Sequence, residues 1–168
     1  MQDLPESGFL LIDKPAGWTS FDVVAKLRGI TGIKKIGHTG TLDPFATGLL
    51  IVAIGRQATK QIDQFMKLPK TYEATFVFGA TTETLDPEGE IQPSNPPLDP
   101  STITEENVDS AMQSMHGDSM QTPPMFSAIK KEGKKLYELA RQGKEIDRPA
   151  RPITISQFER TSPVEPST

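Results

Sequence analysis

Two short apolar runs near the start of the chain predict strands. Residues 8–13 read Gly-Phe-Leu-Leu-Ile-Asp, which is typical of a buried strand, and a turn follows at Lys14-Pro15-Ala16-Gly17. The second run, Leu49 to Ile54, is too continuously apolar for an edge and predicts a central strand. Between the runs, Ser20 is a good N-cap for a helix that ends near Gly29 or Gly32.

The rest of the chain alternates between elements and loops. Lys70 to Ala80 places Tyr72, Phe76 and Phe78 on one face, which predicts a strand, whereas residues 86–103 are rich in Pro and predict a loop. We expect helices over Ala58 to Phe65, Thr104 to about Met115 and Lys135 to Arg141, and a last strand over Ile153 to Phe158. The elements interleave without a regular βαβ period, so the class is α+β or mixed α/β.

Composition narrows the class of protein. The 168 residues correspond to about one domain. The absence of Cys excludes a disulfide scaffold, a thiolate metal site and a Cys nucleophile, and two His leave little for a His-rich metal site. The apolar runs are too short to span a bilayer, and the acidic first residues do not read as a signal peptide. We therefore expect a cytoplasmic protein with no metal and no membrane contact.

Charge is segregated along the chain. The net charge is −4, but residues 83–118 carry nine acidic and no basic residues, whereas residues 119–151 carry eight basic and four acidic ones. A pI of about 5.2 argues against nucleic-acid binding by a uniformly charged protein. A local basic stretch can still build a basic groove, and the alternative is a solvated face. Charge alone favours the solvated face.

The most unusual segment is a loop rich in Gly and Thr that runs directly into the second apolar strand and reads GHTGTLDPFATG, residues 37–48. Pro44 biases Asp43 away from helical backbone angles, and we expect the Asp43 carboxylate to be partly desolvated where the loop meets the core. This setting suits a positioned nucleophile, and it equally suits an ordinary Asp-Pro turn. His38 is placed to pair with Asp43, although a lone His in a loop is more often structural. No GxxxxGK[ST] phosphate loop is present.

This segment resembles the central motif of the TruB family of tRNA pseudouridine synthases. Residues 11–20 resemble the family's first motif, residues 70–72 its K-x-Y strand, and residues 79–86 the motif that follows. Residues 121–130 and 133–141 are similar to the RNA-clamping insertion of bacterial members. The resemblance covers roughly residues 8–158, and five motifs in one order distinguish it from a match to any single motif.

The resemblance implies a fold, a reaction and two catalytic residues. The fold is a mixed, largely antiparallel sheet with flanking helices. The reaction isomerises the T-loop uridine of tRNA (tRNA position 55) to pseudouridine, with no metal and no organic cofactor. Asp43 matches the catalytic aspartate, which attacks either the ribose C1′ or the uracil C6. Tyr72 matches the tyrosine that stacks on the target base and assists proton transfer at C5; read alone, it is more simply a core tyrosine.

The resemblance also implies residues that contact RNA. His38 matches a histidine near the flipped nucleotide, Thr41 lies in the same motif, and Lys14 and Lys70 lie in motifs where phosphate contact is expected. Residues 119–151 match a mobile thumb over the T-loop, with candidate contacts at Lys130, Lys131, Lys134 and Arg141. Flipping a base costs about a few kcal/mol, which stacking and phosphate contacts offset.

The chain is shorter than the family pattern. Family catalytic domains continue beyond the strand at Ile153–Phe158 to a K-G-T-Y-I-R-type strand whose Arg pairs with the catalytic aspartate, and a PUA domain usually follows. We therefore expect residues 1–160 to form part of a catalytic domain, residues 161–168 a disordered tail, and no PUA domain. The chain is either a truncated piece or a natural fragment.

The missing Arg changes the expected chemistry. Burial without an Arg raises the pKa of an aspartate and leaves a neutral, poor nucleophile, whereas exposure keeps it charged but solvated. On either route we expect weak or no activity from the chain alone, and uncovered apolar surface that favours self-association. The alternative function, from a different class, is a non-catalytic tRNA-binding or tRNA-folding module.

Overall fold

A computed structural model describes residues 7–127, 130–131 and 133–165. The chain divides into two compact units, one ending at Ala74 and the other beginning at Thr75. All five strand pairings in the described residues are antiparallel, and helices flank them. The predicted class, a largely antiparallel sheet with flanking helices, is confirmed. Within those ranges, no helix combines the length and apolar character needed to cross a membrane.

The first unit is built on a three-stranded sheet with strand order β1-β3-β2. In chain order its elements are β1 (Gly8–Lys14), α1 (Ser20–Thr31), β2 (Ile36–His38), β3 (Gly48–Ile54), α2 (Gly55–Thr59) and α3 (Ile62–Met66). The strand with the most continuous apolar sequence, β3, occupies the centre, as predicted. The single helix expected over Ala58 to Phe65 is instead the pair α2 and α3.

The core of this unit joins α1 to the sheet. Its buried cluster contains Val23, Val24, Ile36, Leu50, Val52 and Ile54. Burying each such side chain contributes about 1.5–3 kcal/mol. Leu42, which directly precedes Asp43, is partly buried and packs against this cluster. The core therefore anchors the loop that carries the candidate nucleophile.

The N-cap of α1 is Thr19 and not Ser20, so that prediction is wrong by one residue. The Thr19 side chain accepts a hydrogen bond from Asp22 N at 3.0 Å, and the Asp22 carboxylate accepts one from Thr19 N at 2.8 Å. This reciprocal pair satisfies two helix-terminal N–H groups. It leaves the Ser20 hydroxyl free for another role. The helix ends at Thr31, and Gly32 caps it with a left-handed backbone at φ of 70°.

The second unit contains short elements. In chain order they are β4 (Ala80–Thr81), β5 (Gln92–Pro93), a 3₁₀ helix (Pro100–Thr102), α4 (Glu105–Ser114), β6 (Gly117–Gln121), β7 (Lys130–Lys131), β8 (Lys134–Lys135), α5 (Leu136–Ala140) and β9 (Arg151–Ile155). The strands pair as β4 with β5, β6 with β9 and β7 with β8. Residues 128, 129 and 132 of the predicted insertion, and residues 166–168 of the predicted tail, lie outside the described residues.

The predicted strand over Lys70 to Ala80 is wrong. Residues 69–77 have no regular secondary structure, and every residue from 66 to 78 is exposed. A strand is stabilised by hydrogen bonds to a neighbouring strand, and no described strand pairs with residues 70–79. An alternating sequence pattern predicts the two faces of a strand, but it does not show which other strand would pair with it.

Candidate active-site loop

A buried lysine ties the turn after β1 to the Asp43 loop. Lys14 is 0% exposed, although it is charged. Its Nζ donates three hydrogen bonds, to the carbonyl oxygens of Pro15 at 2.9 Å, Trp18 at 2.7 Å and Pro44 at 3.3 Å. The Gly17 N–H donates to the same Pro44 oxygen at 2.8 Å. The residue after Asp43 is thus fixed from two sides.

Ser20 fixes the residue before Asp43. The Ser20 hydroxyl donates to the carbonyl oxygen of Leu42 at 3.2 Å and accepts from the Leu42 N–H at 2.9 Å. A hydroxyl can do both because it carries a donor and two acceptor lone pairs. Ser20 is 2% exposed, so water does not compete for these bonds. Both backbone neighbours of Asp43 are therefore held by the segment from Lys14 to Ser20.

The Asp43 side chain itself is exposed to solvent. The expectation that it is partly desolvated is therefore wrong for this chain. Its carbonyl oxygen accepts a hydrogen bond from Ala46 N at 3.1 Å, which closes a turn at the Asp-Pro step. The structure thus fixes the backbone at Asp43 while the carboxylate remains solvated, which is the second of the two routes expected to weaken catalysis.

His38 and Thr41 precede Asp43 in the same motif, and no hydrogen bond within the described ranges joins either of them to Asp43. His38 ends β2, opposite Val52, and its buried Nδ1 has no hydrogen-bond partner in the part of the chain that is described. The neighbouring Thr39 is buried and donates its N–H to Ile51 O at 3.0 Å. Thr41 is exposed. The pairing of His38 with Asp43 is not among the described hydrogen bonds.

Tyr72 and Lys70 lie in the exposed segment after α3. Tyr72 is 69% exposed, and no hydrogen bond or ring contact within the described ranges involves it. It is thus not a core tyrosine. The Lys70 ammonium donates to the carbonyl oxygens of Met66 at 2.8 Å and Leu68 at 2.9 Å. Lys70 therefore satisfies carbonyl groups at the end of α3 while remaining exposed.

Lys14 has a different role from the phosphate contact predicted for it. Full burial and three carbonyl acceptors leave its ammonium no open direction for a phosphate. That prediction is wrong because local sequence does not reveal that the side chain turns inward. Lys14 instead positions the loop.

The predicted thumb contains a small hairpin. β7 and β8 pair through Lys130 with Lys135 and Lys131 with Lys134. The side chains of these lysines lie outside what the structure describes. Arg141 is exposed, and its guanidinium carbon lies 5.5 Å from the centre of the Tyr137 ring. The RNA contacts predicted for these residues stay predictions.

A basic cleft on the first unit was not evident from the sequence pattern. The cleft has a volume of about 470 Å³ and is lined by Arg28, Lys35, Arg56 and Lys60, together with Ile36, Gly37, Thr59 and Ile62. The Gly55 N–H donates to Lys35 O at 2.8 Å, which brings Lys35 and Arg56 together. No carboxylate lines the cleft, and no ion pair to these four cations occurs within the described residues. The cleft therefore suits a polyanion.

Arg28 is held at the cleft by Ile36 O and by the Phe21 ring, whose centre lies 5.7 Å from the guanidinium carbon. One terminal nitrogen of the guanidinium donates to Ile36 O at 3.1 Å, which fixes its position. Its Nε is buried without a hydrogen-bond partner in the described ranges.

The same ranges hold no group of three or more His, Cys, Asp or Glu able to hold a metal ion.

Comparison with known proteins identifies the family. The sequence profile described as "TruB family pseudouridylate synthase (N terminal domain)" matches residues 28–167. The chain belongs to the TruB family. It is 51% identical over 159 residues to tRNA pseudouridine synthase B of Lactococcus lactis subsp. cremoris (strain MG1363), covering 95% of this chain and 47% of that protein. It is 54% identical over 152 residues to tRNA pseudouridine synthase B of Clostridium novyi (strain NT), covering 89% of this chain and 50% of that protein.

A solved structure shows the same fold. This TruB-family chain superposes on a chain from "Crystal Structure of a Cbf5-Nop10-Gar1 Complex" with a TM-score of 0.51 and 26% sequence identity, covering 88% of this chain and 33% of that one. It spans about half the length of the curated relatives it matches.

Proposed function

We propose that this chain is the part of a tRNA pseudouridine synthase that carries the catalytic loop, and that Asp43 in this loop is the nucleophile. The observation that carries the proposal is the 51% identity, over 95% of the chain, to a protein named tRNA pseudouridine synthase B. The clamps on Leu42 and Pro44 support it, because a nucleophile must be held in place to react efficiently. The substrate we propose is the uridine of the tRNA T-loop.

The proposed reaction replaces the bond between C1′ and N1 of the nucleotide with a bond between C1′ and C5. The Asp43 carboxylate attacks either C1′ of the ribose or C6 of the uracil, and the bond between C1′ and N1 breaks. The base rotates and a bond forms between C1′ and C5. The bond between Asp43 and the nucleotide breaks, which regenerates the carboxylate, while the proton on C5 leaves and N1 takes up a proton. Tyr72 is proposed to stack on the base and to assist that proton transfer, with its phenolic oxygen as the group that exchanges the proton.

Binding of the T-arm is proposed to draw on basic surfaces. The cleft lined by Arg28, Lys35, Arg56 and Lys60 lacks a carboxylate and suits consecutive phosphates. The thumb contacts at Lys130, Lys131, Lys134 and Arg141 are proposed to cover the T-loop. His38, Thr41 and Lys70 are proposed as further RNA contacts. We propose a cytoplasmic location, which is compatible with action on tRNA.

A second candidate function is a non-catalytic module that binds or folds tRNA. The exposure of both Asp43 and Tyr72 favours it, because catalytic groups generally act in sites from which water is excluded. The exposed apolar side chains, among them Leu11 and Leu49, are proposed to promote self-association.

Tritium release distinguishes the two functions. The chain and its Asp43→Asn variant, each joined to the remaining C-terminal part of the Lactococcus lactis relative, are incubated with tRNA labelled with tritium at C5 of uridine, and filter binding is measured in parallel. An enzyme releases tritium, and Asp43→Asn abolishes the release without weakening binding. A non-catalytic module binds tRNA equally in both forms and releases none. Failure to bind tRNA contradicts both. Asp63→Asn, at another exposed aspartate, is the matched control.

A further inference from the structure

The only tryptophan in the chain stands beside the Asp43 loop. Trp18 is 40% exposed, while its carbonyl oxygen is held by the buried Lys14 ammonium at 2.7 Å. The same nitrogen contacts Pro44 O at 3.3 Å, so the two carbonyl oxygens are at most about 6 Å apart. The backbone of Trp18 is therefore fixed relative to the Asp43 loop.

A shallow cleft opens at the exposed ring. It has a volume of about 440 Å³ and is lined by Gly17, Trp18, Asp22, Ala25 and Lys26. The Asp22 carboxylate already accepts hydrogen bonds from Thr19 N at 2.8 Å and from the Thr19 hydroxyl at 2.6 Å. Lys26 is exposed and forms no ion pair within the described residues. The cleft thus combines the exposed Trp18 ring with Lys26, a lysine that forms no ion pair within the described residues.

We propose that Trp18 is a stacking platform for an unpaired nucleobase of the RNA substrate, with Lys26 contacting that nucleotide's phosphate. The inference rests on the proposed function, because it assigns a subsite to the same RNA. Every base has a π face, so stacking on an indole ring accepts any base. A platform whose backbone is already fixed loses little conformational freedom on binding. The stacking stabilises a loop from which another base has been flipped.

Trp18 provides its own signal for the test. A fluorescein-labelled T-arm hairpin RNA is titrated with the chain to follow total binding by anisotropy. In parallel, the chain is titrated with unlabelled hairpin and the tryptophan emission is recorded. Because Trp18 is the only tryptophan, any change in emission reports this ring alone. Stacking predicts that the emission is quenched as the hairpin saturates the chain.

Variants separate stacking from general packing. Trp18→Leu is expected to weaken hairpin binding by about 5- to 30-fold, and Trp18→Phe, which keeps a ring, by less than about 3-fold. Phe78→Leu is the matched control, since Phe78 is also aromatic and 44% exposed but does not line the cleft. It is expected to change the affinity by less than about 2-fold. A hairpin with abasic loop positions is expected to quench Trp18 less.

The outcomes separate this inference from the proposed function. Saturated binding with unchanged tryptophan emission, or wild-type affinity in Trp18→Leu, overturns the platform and leaves the proposed function standing. Absence of hairpin binding by anisotropy overturns the proposed function, and the inference fails with it. The emission readout uses the wild-type chain, so a misfolded variant does not affect it.

Discussion

The buried ammonium of Lys14 donates a hydrogen bond to the carbonyl oxygen of Pro44 at 3.3 Å, across 30 positions of sequence. This bond joins the end of β1 to the residue after the proposed nucleophile. Together with the Ser20 bonds to Leu42, it means that the segment from Lys14 to Ser20 fixes the backbone on both sides of Asp43. The exposed carboxylate is therefore attached to a fixed loop.

Replacement of the buried lysine tests the clamp. Lys14→Met keeps the apolar stem but removes the donor to the carbonyl groups of Pro15 and Trp18, while the Pro44 carbonyl keeps only the Gly17 N–H. We expect the free energy of unfolding to fall by about 2–3 kcal/mol, since hydrogen bonds to a charged group are stronger than neutral ones. Urea denaturation measures it. Lys67→Met, at an exposed lysine, is expected to change it by less than about 0.5 kcal/mol. An equal fall in both variants would rule out the clamp.

Removal of the Ser20 hydroxyl tests the second clamp. In Ser20→Ala the Leu42 N–H no longer has its acceptor, so we expect this amide to exchange with deuterium about 10-fold faster. Hydrogen exchange resolved at single residues measures it. Ser114→Ala removes an exposed hydroxyl that bonds within its own helix, and Leu42 exchange should then be unchanged. Unaltered protection of Leu42 in Ser20→Ala would show that the bond is dispensable.

Much of the first unit could be predicted from the sequence because it is encoded locally. The apolar runs predicted β1 and β3, and the turn glycines predicted the end of α1. The strand expected at Lys70 to Ala80 failed because its pattern contains no information about a partner strand. A local pattern predicts where an element can form, and long-range pairing decides whether it does.

The candidate loop could be located but its support could not. The motif around Asp43 is contiguous, so the sequence identified it. The Ser20 contact spans 22 positions and the Lys14 contact 30, and neither follows from a local period. Phosphate binding was therefore predicted for Lys14, although its ammonium is buried. The basic cleft was missed for the same reason, because β2, α1 and α2 bring its cations together.

Charge reversal in the basic cleft tests its role in RNA binding. Lys35→Glu combined with Arg56→Glu is expected to weaken hairpin binding. It should also reduce the slope of log K against log salt concentration by about 0.7–0.9 for each phosphate that the cleft no longer binds. Anisotropy titrations at several salt concentrations measure both quantities. Lys67→Glu changes the charge of an exposed lysine outside the cleft and is expected to have a smaller effect. If the cleft variant and Lys67→Glu weaken hairpin binding equally for each charge reversed, then only the net charge of the protein determines the affinity.

The capping box of α1 predicts a dependence of stability on pH. The hydrogen bonds from the Thr19 side chain and backbone hold the pKa of Asp22 below its ordinary value. Because the pKa is lower in the folded state, the stabilisation is complete above the ordinary aspartate range near pH 4 and is lost as the pH falls through the lowered value. Thermal unfolding of the wild type between pH 6 and pH 2.5 should show this loss. Asp22→Asn should remove that part of the dependence, and an unchanged profile would exclude the box as its source.

The central claim is that the fixed Asp43 loop is catalytic once the site is completed. The most direct measurement joins residues 1–165 to the remaining C-terminal part of the Lactococcus lactis relative and assays pseudouridine formation in tRNA. We expect the chimera to form pseudouridine, and Asp43→Asn within it to reduce the rate at least about 10³-fold while tRNA binding persists. A folded chimera that binds tRNA without forming pseudouridine, or one that stays active with Asn at position 43, would contradict the account.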